Sequence, residues 1–384
     1  MIQDFHPRRL LPIITAGLVV GLLEIVLATS FAALIFTGEL SSYVPQGIGL
    51  ALMGTILSGI LLALFTSFPG TVGGNQDVPA AFMAVVVAAI VTAMPAGATS
   101  QETFLTAVAA ITLTTLLAAT FFLLLGVFKL GALVRFLPYP VIGGFLAGTG
   151  WLLVSGAFYT MVDVPPDSTL FSLIIQAENL ILWLPGLILA VIMLLLLRRS
   201  DHFLIMPGLV LGGTLLFYLL AWISGTSLVE LGEQGLLLGP FPSESLWQPL
   251  TPSDLAQVNW PAIVSQTASL VTIFLVSSVA LLLNVSGLEL ATKRDMKINR
   301  ELSAAGVANF ASGFVSGLIN FQQLSLSALN FKSKASSRLV GLISAGFCAA
   351  AMLFGAVAFS LVPVIIVSAL LLYLGLSFLS EWLI

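Results

Sequence analysis

Few side chains in this sequence can do chemistry, and those that can are polar groups inside apolar runs. Glu24 lies in Gly21-Leu22-Leu23-Glu24-Ile25-Val26-Leu27, and Asp77 in Asn75-Gln76-Asp77-Val78-Pro79-Ala80. An ionised carboxylate at membrane depth costs at least about 2.5–3.5 kcal/mol, so each residue needs a partner, a proton or a function. Asn284, in Leu283-Asn284-Val285-Ser286, is a buried amide of the kind that bonds between helices. A second polar stretch is Asn320-Phe321-Gln322-Gln323-Leu324-Ser325-Leu326-Ser327. These types bind solutes and exchange protons or cations. Covalent or metal chemistry has no counterpart here: Cys348 is the single cysteine and sits in an apolar run, and His6 and His202 lie far apart. The chain also lacks a His–Glu metal motif, so neither an enzyme nor a cofactor is expected.

The elements that position these groups follow from composition. Of 384 residues, 59% are hydrophobic and 8% charged, which is too few charges to cover a soluble domain. A cytosolic enzyme and a nucleic-acid binder are excluded. The apolar runs are continuous rather than alternating, against a β-barrel, and no cleavable leader is evident. Twelve crossings are expected, at 10–37, 46–68, 78–94, 103–128, 136–160, 171–197, 203–223, 262–288, 300–318, 325–336, 338–360 and 363–382. With the N-terminus in the cytoplasm, all 13 basic residues fall on the cytoplasmic side, from Arg8 and Arg9 to Lys332, Lys334 and Arg338. The cluster Lys293-Arg294-Asp295-Met296-Lys297 anchors this topology and can touch anionic membrane lipid. The expected location is the cell (inner) membrane, as a multi-pass protein.

The third and tenth crossings are short, and each follows a poorly helical stretch, 69–77 in one case and 319–323 in the other. Paired interrupted helices at matching places in two halves of opposite orientation mark an inverted repeat with a site near the midplane. The expected division is a first repeat at 1–225, an extracytoplasmic linker at 226–261 and a second, incomplete repeat at 262–384. The two short helices would aim their N-termini at each other. Each N-terminus offers unpaired N–H groups and about half a positive charge, so together they make an anion site without Lys or Arg. Pro79 suits a first helical turn, and Ser325 and Ser327 can cap and donate hydroxyls. Expected substrate-binding residues are Asn75, Gln76, Asp77, Val78, Pro79, Ala80, Gln323, Leu324, Ser325, Leu326 and Ser327. Asp77, Glu24 and Asn284 are the coupling-ion candidates. The glycines of 143–150 are expected to let helices pack closely.

Three motifs then resemble a known family. Leu130-Gly131-Ala132-Leu133-Val134-Arg135-Phe136-Leu137-Pro138-Tyr139-Pro140-Val141-Ile142-Gly143-Gly144-Phe145 is similar to the "LGxLVRFLSxPVIxGF" segment of the sulfate permease (SulP) anion transporters. Asn299-Arg300-Glu301-Leu302-Ser303-Ala304-Ala305-Gly306-Val307-Ala308-Asn309 resembles "NxELxAxGxAN", and Ser325-Leu326-Ser327-Ala328-Leu329-Asn330 resembles "SRSAxN". The resemblance implies an all-α membrane fold of fourteen segments in two inverted repeats of seven. About twelve are present here, with short broken helices 3 and 10. A core domain takes the first four segments of each repeat and a gate domain the last three. It implies that the natural chain continues into two more helices and a STAS domain, and that it forms a homodimer. It implies a substrate held between the third and tenth helices, and an elevator-like movement. Two positions depart from the pattern: the Arg of "SRS" is Leu326, and an acidic position of the eighth helix is Asn284.

The expected function is secondary active transport of a small inorganic or carboxylate anion such as sulfate or bicarbonate, coupled to H+ or Na+. The alternatives are an anion channel or membrane sensor, and a nucleobase permease of the same fold that would use Glu24 and Asp77.

Overall fold

The computed structural model describes residues 7–36, 38–132, 139–162, 176–199, 205–237 and 246–382. Arg135, Asp163, Asp167, His6, His202 and positions 133–138 of the first motif lie outside them.

Every expected crossing is a helix. The first four are α1 (Pro7–Ile35), α2 (Val44–Phe65), α3 (Asp77–Ala93) and α4 (Ser100–Val127). Then come α5 (Tyr139–Val162), α6 (Ala177–Arg199) and α7 (Ile205–Ser224). The Pro- and Gly-rich stretch at 226–261, the expected extracytoplasmic linker, contains a helix α8 (Leu228–Glu233) and a 3-10 turn at Asp254–Ala256. The reason is local: Ser227 and Glu230 form a reciprocal capping box that starts α8. Helix α9 (Trp260–Ser265) leads into α10 (Thr267–Thr292), followed by α11 (Ile298–Phe314), α12 (Leu324–Lys332), α13 (Arg338–Ser360) and α14 (Val364–Trp382). Among the described residues, five helical segments are long and apolar enough to cross a bilayer alone: Leu10–Ala32, Glu39–Phe65, Ser100–Val127, Leu182–Arg199 and Thr267–Thr292.

The tenth crossing, expected over 325–336, is shorter than that. Helix α12 has 9 residues, about 13 Å at 1.5 Å per residue. What precedes it is not irregular chain but strand β2 (Asn320–Gln322), paired antiparallel with β1 (Gly73–Asn75). The register is Gly73 with Gln322, Gly74 with Phe321 and Asn75 with Asn320. Each strand therefore runs straight into a broken helix, β1 into α3 and β2 into α12.

The described chain groups into two compact units. The first takes α1–α4, α9–α12 up to Phe331, and α13 up to Leu353. The second takes α5–α8, the end of α13 and α14. These are the core and gate groupings that the resemblance implies.

In the first unit, α11 packs on α4 and α2 through small residues. A Cβ at Gly306 would lie 2.8 Å from the Leu123 N atom, and one at Gly54 would lie 2.7 Å from Ser312 Oγ. The expectation for 143–150 is only partly met. A Cβ at Gly144 or Gly148 would meet nothing within 4 Å; the close approach in the second unit is between Gly375 and the Gly150 carbonyl. Facing glycines, rather than glycines in one stretch, bring backbones together.

Candidate functional site

The β1–β2 ribbon has only three residue pairs, and a lone two-stranded ribbon is marginal. It survives here because it is buried and its edges are satisfied by amide side chains. Gln76 Nε2 donates to the Gly74 carbonyl (3.0 Å) and the Phe321 carbonyl (2.9 Å), stitching one strand to the other. Asn284, reaching in from α10, donates to Gln76 Oε1 (3.1 Å) and to the Gln322 carbonyl (3.0 Å). Gln323 donates its backbone N–H to the Val72 carbonyl (2.9 Å), which extends the ladder by one rung. Val72 in turn donates its N–H to Ser327 Oγ (3.0 Å).

Glycine is required in β1 by close approach. A Cβ on Gly74 would sit 2.3 Å from both carboxylate oxygens of Glu24, and one on Gly73 would sit 2.0 Å from Leu62 Cδ1. Glu24 therefore lies against the ribbon backbone. It is fully buried, and its Oε2 accepts from Gln323 Nε2 at 3.3 Å. The same nitrogen donates to the Asn75 carbonyl at 2.8 Å. Asn75 is anchored by Nδ2 on the Ala51 carbonyl of α2 (3.2 Å).

The structure thus brings Glu24, Asn75, Gln76, Asn284 and Gln323 into one hydrogen-bonded group with Ser327 beside it. Asp77 stands at the start of α3, where its Oδ1 accepts from the Val78 N–H at 2.8 Å. The protein's own carboxylate therefore takes one of the N–H groups expected to face an anion. Pro79 and Ala80 are buried in the first turn of α3, with Val78 half-buried. Leu324 and Leu326 are buried apolar side chains of α12, so they shape the site rather than bond in it. Ser325 lies inside α12, one residue past its start, and so is not the helix cap expected of it; Gln323 precedes the helix.

Several residues outside the expected set support the ribbon. Gln322 Nε2 donates to Glu301 Oε2 (2.9 Å) and to the Glu301 carbonyl (3.0 Å). Glu301 Oε1 accepts from Ser67 N (2.6 Å) and Ser67 Oγ (2.5 Å), tying the turn after α2 to β2. Asn309 holds the other end of β2, accepting from the Asn320 N–H (2.8 Å) and donating to the Asn320 carbonyl. The available signal was the density of Asn, Gln and Glu in so apolar a chain. Among the described residues, no group of three His, Cys, Asp or Glu side chains could hold a metal.

With this geometry in place, the comparisons with known proteins can be set beside it. The profile of the sulfate permease family matches residues 11–383. The vacuolar basic amino acid transporter of Saccharomyces cerevisiae is 26% identical over 385 residues, covering 97% of this chain and 36% of that protein. The bicarbonate transporter BicA of a Picosynechococcus species is 24% identical over 401 residues, covering 99% of this chain and 63% of that one. The chain therefore spans less than two thirds of either protein's length. The fold matches the transmembrane domain of a cyanobacterial bicarbonate transporter BicA at a TM-score of 0.62, with 19% identity, 98% of this chain and 90% of that one covered. It matches SLC26A9 at 0.64, with 17% identity, 99% and 59% covered.

Proposed function

Because the chain belongs to the sulfate permease family, we propose that it is a secondary active transporter of a small anion, sulfate, bicarbonate or similar, coupled to H+ or Na+. The observation that carries this reading is the ribbon with a helix start at each end. Strands β1 and β2 run antiparallel into α3 and α12, so the two helix N-termini start from opposite ends of the ribbon, where their dipoles favour an anion. A transporter of the same family carries bicarbonate as its named substrate.

Elevator-type transport fits the grouping of the chain. Glu24, Asn75, Gln76, Asp77, Asn284, Gln323 and Ser327 all belong to the first compact unit, so the site can travel as one body. Asp77 and Glu24 are the coupling residues in this account. The distribution of Lys and Arg supports a cytoplasmic N-terminus in the cell membrane, and the resemblance supports a homodimer. The repeats run 1–225 and 262–384 about the linker at 226–261.

A second reading is favoured by a specific observation. Glu24 and Asp77 are carboxylates, and the hydrogen-bonded group holds no Lys or Arg. Such a site also suits a solute with a positive end, as in the basic amino acid transporter that is 26% identical.

Uptake of labelled sulfate, bicarbonate, uracil and arginine into proteoliposomes, with and without imposed H+ and Na+ gradients, separates the readings. Gradient-driven uptake of an inorganic anion supports the first reading, and arginine uptake alone supports the second. Uptake of none of them removes both.

A further inference from the structure

The turn that follows α2 gathers positive charge from separate parts of the chain. Arg300, in the first turn of α11, donates Nε to the Phe65 carbonyl at 2.7 Å. Arg338, at the start of α13, serves the carbonyls of Ala63, Leu64 and Thr66. The Lys297 backbone N–H donates to Ser67 Oγ at 3.1 Å. The Arg294 guanidinium lies 5.8 Å from the ring centres of both Phe68 and Phe331. The segment 63–68 thus fixes Arg294, Lys297, Arg300 and Arg338 in one corner of the first compact unit.

That charge is only partly offset. The C-terminal end of α2 contributes about half a negative charge. Glu301, which interacts electrostatically with Arg300, is buried and takes its hydrogen bonds from Ser67 and Gln322. Glu289 Oε1 holds the Met296 N–H at 2.7 Å, and Asp295 is exposed. Among the described residues, Arg294, Lys297, Arg300 and Arg338 make no ion pair. Arg300 has one donor on Phe65, so its two terminal nitrogens remain for a planar, bidentate partner, and phosphate fits that fork. Lys297, the residue before α11, stands one turn ahead of Arg300, and both side chains are exposed.

The depth of this corner is set by α2. The apolar span Glu39–Phe65 ends at the carbonyl that Arg300 holds. Its 27 residues measure about 40 Å at the helical rise, the thickness of a bilayer with its headgroups. Leu64 and Phe65 are exposed at the same end.

We propose that Arg300 and Lys297, backed by Arg294 and Arg338, bind the phosphate of an anionic phospholipid at the end of α2. A phospholipid brings its headgroup to the cations and its chains to Leu64 and Phe65. A soluble acidic partner would leave those two side chains as bare apolar surface. The inference stands whichever solute is carried.

The test is native mass spectrometry of the whole chain in detergent, titrated with phosphatidylglycerol and, separately, with phosphatidylcholine. The expected result is preferential binding of phosphatidylglycerol, weakened about fivefold in Lys297→Gln and about tenfold or more in Arg300→Gln. Phosphatidylcholine binding should not change. Lys129→Gln removes an exposed charge at the end of α4 that has no bond to the segment 63–68, and it should leave both lipids bound as before. If Arg300→Gln loses its hold on Phe65 and does not fold, Lys297→Gln keeps the test valid, since the Lys297 side chain bonds to no described residue. Equal binding of the two lipids would overturn the site and leave the charge to an acidic protein partner. Equal losses in Lys129→Gln and Lys297→Gln would overturn it too, as diffuse attraction without a site. Displacement of the lipid by inorganic phosphate would assign the corner to a dissolved anion instead.

Discussion

Removing Gln76 and Asn284 singly and together tests whether the ribbon is held as described. Gln76→Ala deletes three hydrogen bonds: two from Nε2 to the Gly74 and Phe321 carbonyls, and one that Oε1 accepts from Asn284. Asn284→Ala deletes that shared bond and the one to the Gln322 carbonyl. At roughly 1 kcal/mol per buried bond, the single changes cost about 3 and about 2 kcal/mol. The shared bond is lost only once, so the double variant costs about 4 kcal/mol, a coupling of about 1 kcal/mol. Gln76→Glu separates the terms, because it keeps an acceptor for Asn284 and loses the donors. The assay is reversible unfolding in mixed micelles, beside uptake at a fixed gradient. Strictly additive costs would show that Gln76 and Asn284 do not bond, and the site as drawn would be wrong.

Other perturbations follow from the same packing. Gly49→Ala would place a Cβ 1.9 Å from the Leu246 carbonyl oxygen; backbone cannot yield as a side chain can, so a loss of about 2–3 kcal/mol and a fall in monodisperse yield are expected. Gly74→Ala presses on the buried, hydrogen-bonded carboxylate of Glu24. It should cost about 1–3 kcal/mol and remove uptake, and normal stability and uptake would contradict the placement of Glu24. Arg338 caps the end of α2 by donating to the carbonyls of Ala63, Leu64 and Thr66. Arg338→Lys should cost about 1–2 kcal/mol in the same unfolding assay, since an ammonium cannot span three carbonyls as a planar fork does. Glu230, exposed at the start of α8, is held below the usual carboxylate range by the Ser227 backbone N–H and then by the Ser227 hydroxyl. Its folded-state pKa lies below the unfolded one, so its stabilisation is present at neutral pH and fades as pH falls through the folded value. Ser227→Ala should raise that pKa in a carboxyl carbon NMR titration, and an unmoved titration would refute the capping box.

Long apolar runs made the helices legible, because bilayer thickness and helical rise leave few other solutions. The break before α3 was legible from Pro69-Gly70 and Gly73-Gly74, and that before α12 from Asn320 and Gln322-Gln323. The ribbon itself was not. Strands of three residues carry no β-branched run, and their pairing joins positions some 245 apart in the chain, as between Asn75 and Asn320. Glu24 was legible as a carboxylate out of place. Its partner Gln323 was legible only as a site residue, since no local pattern links positions 299 apart. Glu301 looked like part of a family motif at the start of a helix. Its hold on Ser67 and Gln322 depends on which turn packs above it, and spacing does not carry that information.

The most direct test of the transport account is counterflow. Proteoliposomes are loaded with unlabelled bicarbonate or sulfate and diluted into a trace of the labelled anion, with no other gradient. The account predicts transient, saturable accumulation of label above equilibrium, abolished by Gln76→Ala. Label that equilibrates without overshoot, with a flux linear in concentration, would identify a channel and contradict the carrier.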